Sequence, residues 1–107
     1  MNTFTLNDLA ARVKERAQAS ADNSYTRRLL DRGVAHCAKK FGEEAVETVI
    51  AALAEDRERL IAEAADLLYH MLVLLESRGI ALTEVEAALG ARIGQSGLQE
   101  KAARAKD

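Results

Sequence analysis

Two long segments with helical spacing of apolar residues dominate this chain and restrict it to helix-on-helix folds. The first runs from Val34 to Leu53 and the second from about Arg57 to Arg78. Glu55-Asp56 is the turn between them, with Asp56 as the cap of the second. Proline, which would break either segment, is absent, and Gly79 stands where the second should end. We therefore predict two long α-helices packed side by side.

Composition supports a single all-α domain. The 107 residues suit one ordinary domain, and 49% hydrophobic with 30% charged residues indicates a folded chain. We predict a helical bundle of about four to five helices over residues 1–93 and a polar, partly ordered tail over 94–107. Cys37 is the only cysteine, which excludes an intrachain disulfide and favours a reducing, cytoplasmic setting. We interpret it as a small core residue.

Charge and hydropathy limit the expected partners. The net charge of −2 gives no bias toward nucleic acid. The longest apolar stretch, near Leu67 to Leu75, is too short to span a bilayer, so no membrane partner is expected. The second long helix is apolar nearly all round, and a chain of this size can hardly cover it. A homodimer is therefore expected.

Shorter helices are marked by their capping residues. Thr5 followed by Asp8 predicts the start of a first helix, and Ser24-Tyr25-Thr26 offers caps for a short second one that Gly33 ends or kinks. Thr83 with Glu86 resembles a capping box for a last helix.

The predicted helices also carry predicted buried faces. At about 100° per residue, six residues of the first long helix share one broad apolar face. These are Val34, Ala38, Phe41, Ala45, Val49 and Leu53. In the last helix, Val85, Ala88 and Leu89 are expected to face inward.

Two acidic pairs, Glu44-x-x-Glu47 and Glu63-x-x-Asp66, lie in the two long helices. A three-residue step puts both carboxylates of a pair on one helical face. Side by side, the helices would bring four acids together in an apolar setting, where their repulsion and desolvation call for cations. Oxygen ligands favour Mg²⁺, Mn²⁺ or Ca²⁺, whereas a di-iron bundle would need Glu-x-x-His.

Less specific interpretations stay open on local evidence. The acids could simply be solvated side chains on exposed helix faces. Asp66, among apolar neighbours, could be partnered by Arg59 or His70 instead of metal. Lys39-Lys40 could bind phosphate or pair with Glu43-Glu44.

Four motifs together carry a family resemblance. Ser-Tyr-Thr at 24–26, Leu-Leu-Asp at 29–31, Lys-Lys-Phe-Gly-Glu-Glu-Ala-Val-Glu at 39–47 and Glu-Ala-Ala-Asp-Leu-Leu-Tyr-His at 63–70 resemble the phosphoribosyl-ATP pyrophosphatase family of histidine biosynthesis. The resemblance covers about residues 4–92. The acidic pairs alone would indicate only the wider all-α NTP pyrophosphatase superfamily, the MazG-like group.

The resemblance implies hydrolysis of the α–β phosphoanhydride of 1-(5-phosphoribosyl)-ATP, giving phosphoribosyl-AMP and pyrophosphate. It also implies an all-α bundle completed by dimerisation, with Mg²⁺ as cofactor and Mn²⁺ as a substitute. By position, the catalytic metal ligands are Glu44, Glu47, Glu63 and Asp66. The substrate-binding residues would be Lys39, Lys40, Tyr25, Thr26, Arg27, Arg32 and Glu43, the last also an alternative ligand.

Two other functions are compatible with the same residues. A housecleaning pyrophosphatase acting on nucleoside triphosphates would use the same acids with a different pocket. A non-catalytic dimerisation module would leave the acids structural. Asp66, inside the most apolar run, argues against the module.

Overall fold

The computed structural model describes residues 3–93 together with Gly97, Lys101 and Arg104. Five α-helices lie within residues 3–93 and confirm the all-α class: α1 Leu6–Arg16, α2 Tyr25–Asp31, α3 Val34–Ala54, α4 Arg57–Ser77 and α5 Leu82–Ala91. The predicted tail at 94–107 lies for the most part outside the described residues. In the described part, no helix is both long enough and apolar enough to cross a membrane.

The predicted helix starts at Thr5, Ser24 and Asp56 are confirmed, because each side chain caps a free backbone N–H of its helix. Thr5 Oγ1 accepts from the Asp8 N–H at 3.1 Å, and the Asp8 carboxylate accepts from the Thr5 N–H at 3.0 Å. Ser24 Oγ accepts from the third N–H of α2 at 3.1 Å, and Asp56 Oδ1 from that of α4 at 2.9 Å.

The cap of the last helix is Ala81, two residues before the predicted cap Thr83. Ala81 precedes its first turn, and the Glu84 carboxylate accepts a hydrogen bond from the Ala81 N–H at 2.8 Å. The acid three residues after the helix start is therefore Glu84 and not Glu86. Since a carboxylate alone can satisfy the exposed N–H, a Ser or Thr at the cap is dispensable here.

Two glycines end the helices that precede them, as predicted. Gly33 has φ 91° between α2 and α3, and Gly79 has φ 68° after α4. This left-handed region is costly for residues with a Cβ, so glycine suits both turns.

The apolar core forms where α1 and α2 pack on α4 and α3. Cys37 is 1% exposed and its thiol donates to the Leu29 carbonyl oxygen at 3.3 Å, which confirms it as a core residue. The buried apolar residues of this cluster are Val13, Leu29, Cys37, Leu72, Val73 and Leu82.

The apolar face predicted for α3 is not the one that packs on α4. Val49 and Leu53 are 57% and 84% exposed, whereas Cys37 and Ala51 are buried. The side of α3 that packs on α4 also carries Thr48, which is partly buried. Ala88 and Leu89 of α5 are likewise exposed, and Val85 is only partly buried.

Candidate metal centre

The packing of α3 on α4 brings three of the predicted acids into one cluster. Glu44 comes from α3, and Glu63 and Asp66 come from α4. One carboxylate oxygen of each lies within 4.8 Å of the others. Glu63 is buried, Glu44 is half-buried and Asp66 is exposed, so the cluster opens toward solvent on the Asp66 side. We call these three residues the acid cluster.

Glu63 is the most deeply buried acid of the cluster, at 6% exposed. Its Oε1 accepts a hydrogen bond from the Arg59 guanidinium at 3.0 Å, and Arg59 also donates to Glu55 Oε1 at 3.1 Å. Asp66 was expected to be buried among its apolar neighbours, and that expectation is wrong, because Asp66 is exposed. Of the two alternative partners left open for it, Arg59 instead contacts Glu63. One helical turn of α4 separates the buried position from the exposed one.

Three buried polar atoms at the cluster have no hydrogen-bond partner among the described residues: Glu44 Oε2, Glu63 Oε2 and His70 Nε2. His70 Nδ1 donates to the Asp66 carbonyl oxygen at 2.9 Å, because a carbonyl can only accept. In the neutral ring, Nε2 is then an unpaired acceptor. His70 therefore binds the backbone of Asp66 and not its carboxylate. A buried polar atom left without a partner costs free energy.

The fourth predicted acid, Glu47, is exposed on α3 but acts on both of its neighbours. Burial raises the pKa of Glu44, and the neighbouring Glu47 carboxyl raises it further. The adjacent Glu47 carboxyl, followed by burial, raises the pKa of Glu63, while Arg59 opposes the rise. Acids that resist ionisation in this way gain from a nearby cation.

Thr48 joins the two helices beside the cluster. Its hydroxyl lies 2.8 Å from the Glu44 carbonyl oxygen and 3.2 Å from the Glu63 carbonyl oxygen. A hydroxyl carries one proton, so the two carbonyls share it. The contact fixes the backbone of one acid against the backbone of the other.

Aromatic residues form one wall next to the acids. Tyr25 is 52% exposed and stacks on Tyr69, with ring centroids 6.5 Å apart and 18° between planes. Tyr69 meets His70 edge to face at 5.0 Å. Thr26 is buried, and its hydroxyl lies 2.5 Å from the Tyr69 hydroxyl. Thr26 thus holds the Tyr69 ring through the contact between their hydroxyls, while Tyr25 faces solvent.

The predicted basic residues are spread along α2 and α3. The Lys40 ammonium lies 3.3 Å from Glu43 Oε1, and Tyr25 and Glu44 are near enough to raise its pKa as well. Lys39 is exposed, and with Glu43 it lines a shallow depression on α3. Lys40 therefore interacts electrostatically with Glu44 of the acid cluster, and its ammonium also contacts the predicted site residue Glu43.

The two predicted arginines, Arg27 in α2 and Arg32 directly after it, have other neighbours. Arg27 donates to Asp31 Oδ1 at 2.8 Å and to the Ala19 carbonyl oxygen at 3.1 Å. Arg32 is exposed and near enough to His36 to lower the pKa of that imidazole, after the larger effect of desolvation. Neither arginine contacts the acid cluster in this arrangement.

Sequence reasoning did not assign Glu55, Thr48 or Tyr69 to the site. The four-residue steps from Glu55 to Arg59 and from Arg59 to Glu63 are a readable signal for side-chain pairing along a helix. Thr48 and Tyr69 gave no such signal, because their contacts cross from one helix to another.

Comparison with known proteins points to one family. The family model described as Phosphoribosyl-ATP pyrophosphohydrolase matches residues 6–92. The chain is 66% identical to Phosphoribosyl-ATP pyrophosphatase 1 of Bradyrhizobium diazoefficiens over 97% of this chain and 98% of that protein. It is 63% identical to Phosphoribosyl-ATP pyrophosphatase 1 of Rhodopseudomonas palustris over the full length of both. With Phosphoribosyl-ATP pyrophosphatase of Agrobacterium fabrum it shares 56% identity over 97% of each chain.

Proposed function

Since the chain belongs to the phosphoribosyl-ATP pyrophosphohydrolase family, we propose that it hydrolyses the α–β phosphoanhydride of 1-(5-phosphoribosyl)-ATP in histidine biosynthesis. The products are phosphoribosyl-AMP and pyrophosphate. The observation that supports this most directly is the acid cluster, with two carboxylate oxygens that are buried and unpartnered among the described residues. A site of this kind suits an anionic substrate carried with a divalent cation.

We propose Mg²⁺ as the cofactor, with Mn²⁺ as a substitute. The donor set fits, because hard carboxylate oxygens suit these ions and Glu44 Oε2 and Glu63 Oε2 lack other partners in the described part. Asp66 and Glu47 would complete the protein's share of the ligands. A bound divalent ion supplies Lewis-acid stabilisation of phosphoanhydride charge.

Substrate contacts are proposed for the residues around the cluster. Lys40 would bind phosphate oxygens on giving up Glu43, and Lys39 lies one position before it on the exposed side of α3. The exposed face of Tyr25 would border the substrate, with Thr26 holding Tyr69 behind it. The cytoplasm, where thiols stay reduced, is the proposed location.

The remaining predicted contacts require longer reach. Arg27 would have to leave Asp31 and the Ala19 carbonyl to reach the phosphates, and Arg32 would approach from the exposed side of α2. Both remain proposals that single substitutions can separate.

We also propose that two copies of the chain form a homodimer. Four aliphatic side chains on α3 follow helical i, i+3, i+4 and i+7 spacing, and each is exposed in the single chain. They are Val46, Val49, Ile50 and Leu53, at 59%, 57%, 49% and 84% exposed. We call these four residues the exposed strip. A second copy is the partner that would cover it.

The substrate test compares pyrophosphate release from phosphoribosyl-ATP with release from dATP and dUTP at equal concentration and saturating Mg²⁺. We expect phosphoribosyl-ATP to be strongly preferred. Preference for dATP or dUTP would favour the housecleaning pyrophosphatase. No release from any of the three would favour the non-catalytic dimerisation module.

The acid test uses Glu63→Gln, with Glu58→Gln on the exposed first turn of α4 as the matched control. Losing a ligand should lower turnover by more than the roughly 10–100-fold typical of losing a residue that supports a ligand. Helix content measured by circular dichroism should stay unchanged. Wild-type turnover in Glu63→Gln would remove Glu63 from the site.

A further inference from the structure

Arg59 links two acids of different exposure along one side of α4. Its Nη2 lies 3.0 Å from Oε1 of Glu63, and its Nε lies 3.1 Å from Oε1 of Glu55. We propose that Arg59 is a positioning residue for the cation site, anchored by Glu55, that holds one oxygen of Glu63 and leaves the other for the ion. This inference rests on the cation site proposed above.

The geometry favours this role because the two carboxylate oxygens of Glu63 differ in their hydrogen-bond partners. Oε1 is engaged by Arg59, whereas Oε2 is buried with no partner among the described residues. A planar guanidinium with several fixed donors can hold two carboxylates at set angles, which an ammonium cannot do. Restraining Oε1 therefore fixes the rotamer of Glu63 and the direction in which Oε2 points.

Charge alone would make the opposite prediction. The positive charge of Arg59 should repel a divalent cation, so its removal could tighten cation binding. Two observations reduce that effect: Glu55 pairs with the same guanidinium, and Arg59 is 59% exposed, where solvent and salt screen its charge. Glu63 is only 8% exposed at its side chain and depends more on a fixed geometry. We therefore expect positioning to outweigh repulsion.

The experiment measures Mg²⁺ binding by the purified full-length chain without substrate, using isothermal titration calorimetry. The variants are Arg59→Met, Arg59→Lys and Glu55→Gln. Arg57→Met, on the exposed first turn of the same helix, is the matched control for loss of an arginine. A residue that supports a metal ligand typically changes affinity by about 10–100-fold when it is removed.

We expect Arg59→Met to raise the Kd for Mg²⁺ about tenfold or more, while Arg57→Met binds like the wild type. The Kd values of Arg59→Lys and Glu55→Gln should fall between those of Arg59→Met and Arg57→Met. Each of these two variants keeps part of the contact between residue 59 and Glu63. Kinetics give an independent readout. In Arg59→Met, half-maximal turnover should need about tenfold more Mg²⁺, with kcat at saturating Mg²⁺ much less affected.

Unchanged or tighter Mg²⁺ binding by Arg59→Met would overturn the inference while leaving the cation site intact. If Arg59→Met fails to fold, Glu55→Gln is the deciding variant. Wild-type affinity for Mg²⁺ in Glu55→Gln would also overturn the inference. A wild-type chain that binds no Mg²⁺ would refute the cation site itself, and the positioning role with it.

Discussion

Burial distinguishes four acids that look alike in the sequence. Glu63 is enclosed, Glu44 is half-enclosed, and Glu47 and Asp66 face solvent. Because burial penalises the charged form, the inner acids are where ionisation is most costly and where a cation gains most. The outer two can exchange ligands with water and substrate. The four acids therefore differ in what each would contribute to the proposed site.

This difference predicts a pH dependence of stability that Glu44→Gln should alter. The pKa of Glu44 is raised by burial and by Glu47 and Asp66, while His70 opposes the rise. The folded state therefore holds the proton more tightly than the unfolded state. The stabilisation of the folded state by this proton on Glu44 is complete below the ordinary pKa of 4.5. It is lost as the pH rises through the raised pKa.

Without divalent ions, the wild type should therefore lose thermal stability relative to Glu44→Gln as pH rises from about 4.5 to 7. Mg²⁺ should reverse the order, since a ligand bound by the folded state stabilises it and the glutamine variant lacks one carboxylate. Melting curves at several pH values, with EDTA and with millimolar Mg²⁺, measure both effects. A difference that does not vary with pH would contradict the raised pKa.

At the scale of helices, the contact between α3 and α4 sets the geometry of the site. Small and polar residues of α3 face α4, so the two backbones meet through side chains such as Ala51 and Thr48. The Thr48 hydroxyl is shared by the carbonyl oxygens of Glu44 and Glu63. A shift of one helix along the other would break this contact and separate the acids.

Thr48→Val should therefore destabilise the chain by about 1 kcal/mol, the usual net value of one hydrogen bond. Valine keeps the shape but removes the proton that both carbonyls share. Thr48→Ser should recover most of the stability, because it retains the hydroxyl. Urea unfolding of the three proteins provides the measurement. Equal stability of valine and serine variants would show that the hydroxyl contributes nothing.

Local features of the sequence predicted the helices well, because a cap acts within a few residues of itself. Thr5, Ser24 and Asp56 each bond the backbone three positions on, so their positions in the sequence were sufficient. The start of α5 was misplaced, since Glu84 caps Ala81 without any Ser or Thr at the cap. The bonding partner lies three positions along the chain in every case, and α5 differs only in lacking a Ser or Thr that would mark its cap in the sequence.

The site was predicted less completely, because its contacts join separate helices. The spacing of the acids predicted which acids would meet, but not that Glu63 would be buried and Asp66 exposed. Which of the two acids is buried depends on how α4 is rotated about its own axis relative to α3. The periodicity of α3 also predicted an inward apolar face that the single chain leaves exposed at Val49 and Leu53.

At the scale of the whole molecule, the exposed strip is the observation that supports the proposed homodimer. Its four aliphatic side chains lie on α3, the helix that also provides Glu44 and Glu47. Contiguous exposed apolar surface is uncommon on a monomer and marks an interface. Covering the strip would therefore also restrain the helix that carries half of the acids.

Val49→Asp should convert the proposed dimer to a monomer, since an unpaired charge would be buried at the interface. Val49 is exposed in the single chain, so its helix should still form. Ala87→Asp, at an exposed position of α5, adds the same charge elsewhere as a control. Light scattering after size-exclusion chromatography gives the mass. A monomeric wild type at tens of micromolar would refute the dimer.

The pair of stacked rings at the site also provides a spectroscopic probe. The chain has no tryptophan and only two tyrosines, Tyr25 and Tyr69, and they contact each other. Fluorescence excited near the tyrosine absorption band therefore originates entirely from this corner of the protein. Ligand titrations can be followed by emission from the unlabelled chain, because every photon reports on the same few ångströms.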